Sequence, residues 1–162
     1  IEVRGDEGDF NDIDTSNIES MESLFLFNET FNGDITGWNV SSVISMDGMF
    51  YCAKSFNQPI GNWEFPNVEN MSCMFYDATS FNQDISKWKF PNVENMEFMF
   101  SYAESFNQPI GDWEFPNVKY MGNMFYNATS FNQDLSKWDL NGKNTKDMFS
   151  NCPIKDEYKP KM

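Results

Sequence analysis

Large apolar side chains recur along this chain at a fixed step of 25 residues. Trp38, Trp63, Trp88, Trp113 and Trp138 mark one column of the pattern. Phe31, Phe56, Phe81, Phe106 and Phe131, each followed by an asparagine, mark a second. Self-similarity at such a period is the signature of a solenoid, in which a repeat buries its apolar face only by stacking on its neighbours.

Within one repeat the apolar spacing changes character partway along. Trp88 and Phe90 alternate with Lys87 and Lys89, the period-two signature of a short strand with one buried face. Pro91 ends that strand, because it cannot continue a hydrogen-bond ladder. Together, Ile85, Trp88 and Phe90 have the shape of the Leu-x-x-Leu-x-Leu core of a leucine-rich repeat. Asn92 follows as an N-cap, then Val93, Met96, Met99, Phe100 and Ala103, whose spacing predicts an amphipathic helix of about three turns. The expected fold is therefore α/β: a right-handed, leucine-rich-repeat-like solenoid with short parallel strands on one face and short helices on the other. It would comprise about five 25-residue repeats plus caps.

The register divides the chain. Residues 1–30 read as a degenerate N-terminal capping repeat, with Ile13 at the tryptophan position, Ile18 at the valine position, and Met21, Leu24 and Phe25 on the Met-x-x-Met-Phe positions. Residues 31–130 hold four full repeats, and 131–152 form a degenerate C-terminal repeat or cap in which Met148-Phe149 arrives one residue early. Residues 153–162 are a polar tail expected to fray. The copies also alternate. Phe56 and Phe106 open Phe-Asn-Gln-Pro-Ile-Gly, whereas Phe81 and Phe131 open Phe-Asn-Gln-Asp, as if a 50-residue unit had been duplicated. The repeated Asn32, Asn57, Asn82, Asn107 and Asn132 suit a structural ladder of side-chain amides at a turn.

Composition narrows the functions. A net charge of −14 argues against binding nucleic acid or an anionic membrane through bulk electrostatics. Histidine is absent, which removes the commonest general base and metal ligand. Cys52, Cys73 and Cys152 are odd in number and do not recur between repeats, so no disulfide framework is expected. No apolar run is long enough to span a membrane. A chain opening on Ile1 reads as a trimmed or processed product from which targeting signals have been cut. No Ser/His/Asp set, phosphate loop or recurrent carboxylate pair is present, so an enzyme is not expected, nor a cofactor. The acidic lead-in of Asp6, Glu7, Asp9, Asp12 and Asp14 does not fit the calcium loop of an EF-hand, and no metal is expected there. Arg4-Gly5-Asp6 spells the integrin-binding tripeptide, and Asn28, Asn39, Asn70 and Asn127 open glycosylation sequons, each a three-residue match of low specificity.

Variable chemistry is concentrated beside the tryptophans. Asn62, Glu64, Lys87, Lys89, Asp112, Glu114, Lys137 and Asp139 flank successive tryptophans and change from copy to copy while the apolar positions do not. They form the candidate partner-binding surface. Their largely alternating signs also make cross-repeat ion pairs available, with Lys87 and Lys89 lying between Glu64 and the pair Asp112 and Glu114.

The run Phe-Asn-Gln-Asp-Ile-Ser-x-Trp, followed by Val-x-x-Met-x-x-Met-Phe-x-x-Ala, closely resembles the repeat of BspA-like leucine-rich-repeat surface proteins, including the mycoplasma-lipoprotein type, over roughly residues 6–152. The resemblance implies a right-handed solenoid with a parallel sheet on one side and export to a cell surface or beyond. It implies adhesion or binding of a host or cell-surface protein, and it brings no catalytic residues. The expected function is a non-enzymatic surface or secreted module for protein–protein recognition or adhesion. The alternative is a structural spacer within a longer repeat-containing surface protein.

Overall fold

A computed structural model describes residues 4–161 as a stack of coils, one per 25-residue repeat. Aromatic columns run through it. Phe31, Phe56, Phe81, Phe106 and Phe131 stack ring on ring at 5.9–6.1 Å. Phe25, Phe50, Phe75, Phe100, Phe125 and Phe149 form a second column at 5.5–5.7 Å. Within a coil the two columns touch, as where Phe75 lies 4.0 Å from Phe81. The Val, Met and Ala positions between them are fully buried, as at Val93, Met96, Met99 and Ala103. The core is one continuous apolar rod shared by neighbouring coils.

The expected α/β, leucine-rich-repeat-like solenoid is not the fold. Among the described residues the one regular element is a 3-10 turn at Asp156–Tyr158, and strand pairing is confined to isolated parallel bridges. The segment expected to be helical, from Val93 to Ala103, winds instead as successive tight turns. Met99, Ser101 and Ala103 donate their N–H groups three residues back to Met96, Phe98 and Phe100. The alternate N–H groups of Met96, Phe98, Phe100 and Tyr102 donate across to Tyr120, Gly122, Met124 and Tyr126 of the next coil. An α-helix needs every N–H for its own i−4 carbonyl, so a segment that spends half of them between coils cannot be one. The backbone shows the same thing: Phe98 and Tyr102 are left-handed, at φ 58° each. A left-handed residue every four positions excludes a right-handed helix, while the three-and-four spacing of buried side chains survives because the tight turns bring the same residues inward.

Those left-handed positions recur at Ser23, Gly48, Cys73, Phe98, Asn123 and Asp147, and again at Phe27, Cys52, Asp77, Tyr102, Asn127 and Asn151. Half of them are Gly, Asn or Asp, the residues that tolerate the conformation best. At Gly48 a Cβ would meet nothing closer than 3.6 Å, so space is not limiting. Gly48→Val is accordingly expected to lower stability by about 1–2 kcal/mol through conformation alone, read as a lower urea midpoint at unchanged slope.

The expected strand fails for a different reason. Ile85 and Trp88 close a turn, with Trp88 N–H donating to the Ile85 carbonyl at 3.1 Å. Beyond it, no backbone hydrogen bond among the described residues joins residues 88–90 to a neighbouring coil, and the rings of Phe65, Phe90 and Phe115 stack at 6.2–6.5 Å. Side chains therefore tie this side of the stack together. Asn57, Asn82, Asn107 and Asn132 each donate a backbone N–H to the side-chain oxygen of the preceding asparagine at 2.9–3.0 Å, which completes the amide ladder. Asn92 caps no helix; its amide donates to the Pro66 carbonyl at 2.6 Å, as Asn117 does to Pro91. One side of each coil is joined by backbone and the other by side chains.

The ends differ. At the first coil Met21 is buried and Phe25 half-buried, but Ile13, Ile18 and Leu24 stand 41–48% exposed where their later counterparts are core. At the last coil, the donors Met121, Asn123 and Phe125 reach Asn144, Lys146 and Met148, which absorbs the missing residue without breaking the ladder. The polar tail does not fray away: Ile154 and Pro160 are buried, and Leu135 N–H donates to the Tyr158 carbonyl at 2.8 Å.

Candidate functional site

The inward–outward alternation around each tryptophan holds without a strand. Trp63, Trp88, Trp113 and Trp138 are buried to within 4% exposure, and Phe65, Phe90, Phe115 and Leu140 are buried beside them. Between those positions Asn62, Glu64, Lys87, Lys89, Asp112, Glu114, Lys137 and Asp139 are all exposed. The turn after Ile85 and the packed rings on either side aim the intervening side chains at solvent.

Most of the expected ladder of ion pairs on this face is absent. Lys137 pairs with Asp112 at 2.8 Å, but among the described residues Lys87 and Lys89 form no ion pair and act on Asp84 and Asp112 only through their longer-range charge. The hydrogen bond from Lys137 holds the Asp112 carboxyl below the usual carboxylate range and raises the Lys137 ammonium. Both side chains are more than three-quarters exposed, so this pair adds little to stability. Two other cross-coil pairs, Lys54 with Glu29 and Lys119 with Glu94, lie away from the tryptophans.

Shallow grooves open between coils on this face. One, of about 250 Å³, is walled by Trp63, Phe65, Pro66 and Pro91 and rimmed by Glu64, Lys87 and Lys89. Another, of about 410 Å³, repeats it 50 residues on, with Trp113, Phe115 and Pro116 below Glu114, Lys137, Asp139 and Lys143.

One tryptophan departs from its column, which periodicity alone did not reveal. Trp38, Trp88, Trp113 and Trp138 donate their indole N–H to a carbonyl of the preceding coil at 2.9–3.2 Å. Each also lies against a winding phenylalanine at 6.1–6.3 Å. Trp63 has no aromatic neighbour among the described residues, and its buried Nε1–H is unpartnered. Phe65, Phe90 and Phe115 meet the next tryptophan edge-on at 4.7 Å, whereas Trp63 follows Val40; Trp38 follows the equally small Thr15 and keeps its hydrogen bond, so side-chain size one coil below does not set the difference. Trp63→Phe removes an unsatisfied donor, whereas Trp113→Phe breaks a hydrogen bond to the Ile85 carbonyl. Trp113→Phe is expected to be about 1–2 kcal/mol more destabilising than Trp63→Phe in paired urea melts.

The remaining sequence motifs are internally engaged. Arg4 bonds the Asp12 carboxylate and the Asp9 carbonyl, and Asp6 bonds Thr30 and Asn28, so both charged members of Arg4-Gly5-Asp6 are held by the fold. Asp9 and Asp14 each accept a backbone N–H two residues on, and among the described residues no acidic cluster has metal-site geometry. The cysteines are free thiols. Burial pushes Cys52 and Cys73 up to about 11, and it raises Cys152 as well. No helix among the described residues is long and apolar enough to cross a membrane.

Neither the curated proteins nor the solved structures contain a match to this chain. A family model does match, twice, over residues 3–102 and 67–159, and its repeat is of mycoplasma type without the leucine-rich-repeat architecture that the sequence resemblance implied. With nearly all of its length covered by those two matches, the chain belongs to the family described as "Mycoplasma protein of unknown function, DUF285".

Proposed function

We propose that the chain is a non-enzymatic recognition module, displayed on a cell surface or outside the cell, that binds a protein partner through the exposed positions beside the tryptophans. The observation that carries the reading is the contrast within each coil. The buried Trp and Phe are repeated almost unchanged, while the exposed residues between them differ in charge from coil to coil. A rigid core that holds interchangeable side chains in register suits partner selection by electrostatic complementarity. Membership of a mycoplasma repeat family accords with a repeat-bearing surface protein. The reading leaves out catalysis because the chain has no histidine and its thiols are pushed up by burial. A structural spacer is the second reading, favoured by the unbroken aromatic columns from Phe25 to Phe149.

The test replaces Lys87, Lys89, Asp112 and Glu114 together by serine. A partner captured from host-cell extract is purified and titrated against wild type and variant. Binding is expected to be lost while the thermal midpoint stays within a few degrees, since exposed charges contribute little to folding. Binding that survives the change would remove the recognition face and leave the spacer.

A further inference from the structure

The two grooves described above are copies of one another that have diverged in charge. Trp63, Glu64, Phe65, Pro66 and Lys87 of the first correspond to Trp113, Glu114, Phe115, Pro116 and Lys137 of the second, 50 residues on. The Trp, Phe and first Pro are shared, but the wall residue Pro91 of the first groove is Asn141 in the second, and the remaining differences lie at the rim. In the second groove Lys137 is neutralised by Asp112 at 2.8 Å, and Lys143 is tied to the Phe115 and Val118 carbonyls at 2.8–2.9 Å. Asp139 adds a further carboxylate. In the first groove the position of Asp112 is Asn62 and that of Asp139 is Lys89. Among the described residues Lys87 and Lys89 therefore form no ion pair, although Asp84 lies within Coulombic reach of Lys87 and Asp112 of Lys89, and a second ammonium stands where the sister groove has an acid. Two ammoniums against the single carboxylate of Glu64 leave the rim of this groove net positive on a chain of net charge −14.

We infer that the groove between Trp63 and Pro91 is the anchor point of the recognition face, and that it takes an extended acidic peptide segment of the partner carrying an apolar side chain beside a carboxylate. The inference rests on the recognition reading above and names its ligand chemistry. Trp63, Phe65, Pro66 and Pro91 form a floor for the apolar side chain, and Lys87 and Lys89 grip the carboxylate. Among the described residues the backbone N–H groups of Glu64 and Lys89 donate to no protein group, so main-chain hydrogen bonds are available to an extended peptide. The overall negative charge does not forbid this. At physiological salt, charges beyond about 8 Å are screened, so the ammoniums at the rim decide.

The test titrates the full chain, labelled with ¹⁵N, with a synthetic peptide of alternating aspartate and phenylalanine. The controls are the lysine–phenylalanine and aspartate–serine versions. The aspartate–phenylalanine peptide is expected to bind best and to move the Trp63 indole resonance more than the other four. Asn62→Asp, which copies the sister groove's partner for Lys87, and Lys89→Asp are each expected to weaken binding about tenfold. Asp112→Asn combined with Asp139→Lys is expected to open a second site at Trp113. Equal binding of the lysine–phenylalanine peptide, unchanged affinity in Asn62→Asp and Lys89→Asp, or resonance shifts confined to the winding side would each overturn the assignment. If the peptide does not bind at all while the four-serine variant still loses the captured partner, the groove assignment falls and the recognition face stands. If neither responds, both fall.

Discussion

Replacing Gly111 by alanine is expected to destabilise the protein by about 3 kcal/mol, the upper end of overpacking penalties. A Cβ built at Gly111 meets the Asp134 carbonyl oxygen of the next coil at 2.3 Å, and one at Gly61 meets that of Asp84 at 2.2 Å. Both obstacles are backbone, so relief requires one coil to move away from its neighbour, and the aromatic columns that lock the coils resist that. Conformational freedom is not at issue, since neither glycine has a positive φ. Gly5→Ala, with nothing within 4 Å of its added methyl, should leave the urea midpoint unchanged and serves as the control. An unchanged midpoint in Gly111→Ala would mean that the coils are not held at the separation described. The same contact explains why the repeats alternate. Coils bearing Pro-Ile-Gly place glycine against the carbonyl of a coil bearing Asp-Ile-Ser or Asp-Leu-Ser, so the 50-residue period is a packing requirement as well as a trace of duplication.

Register, core membership and the outward positions were legible in the sequence because each depends only on the 25-residue period and on apolar character. Every full-copy position expected inside, from Phe31 to Leu140, lies inside. Local conformation was not legible from the same pattern. Val93, Met96, Met99, Phe100 and Ala103 occupy a spacing that a helix and a chain of tight turns share, and apolar periodicity cannot separate them. The discriminating signal was polar: Gly48, Asp77, Asn123 and Asn127 fall at the turn positions that must be left-handed. The spacing of Lys87 and Lys89 predicts members of a charge ladder, but sequence spacing does not supply the reach of a side chain, and among the described residues neither forms an ion pair.

That arrangement bears on the recognition role proposed for this face. Because side chains rather than a backbone ladder tie the tryptophan side together, the N–H groups at Glu64 and Lys89 stay open to an incoming chain. A leucine-rich-repeat strand face would have consumed them. The charges beside the tryptophans were free to diverge because none of them is buried, and Asn62 against Asp112 shows how one substitution changes the pairing of a lysine in the next coil.

Phe100→Ala is expected to have the largest effect of any single truncation considered, a loss of about 3–5 kcal/mol. Phe100 is fully buried and touches Phe75 at 5.6 Å, Phe125 at 5.7 Å, Phe106 at 4.1 Å and Trp113 at 6.3 Å, so the cavity opens in both columns at once. Phe149, half-buried at the end of the same column and stacked on Phe125 alone, should cost well under half as much when truncated. In a stack whose stability is a sum of coil and nearest-neighbour terms, a central cavity also weakens the coupling that makes unfolding all-or-none. The urea transition of Phe100→Ala should therefore broaden or split, with Trp38 and Trp63 on one side of the break and Trp113 and Trp138 on the other. Single-tryptophan variants followed by fluorescence separate the halves. Coincident transitions for Trp38 and Trp138 in the Phe100→Ala background would show that the hydrogen bonds between coils, backbone on the winding side and the amide ladder through Asn82 and Asn107 on the other, carry the cooperativity rather than the aromatic column.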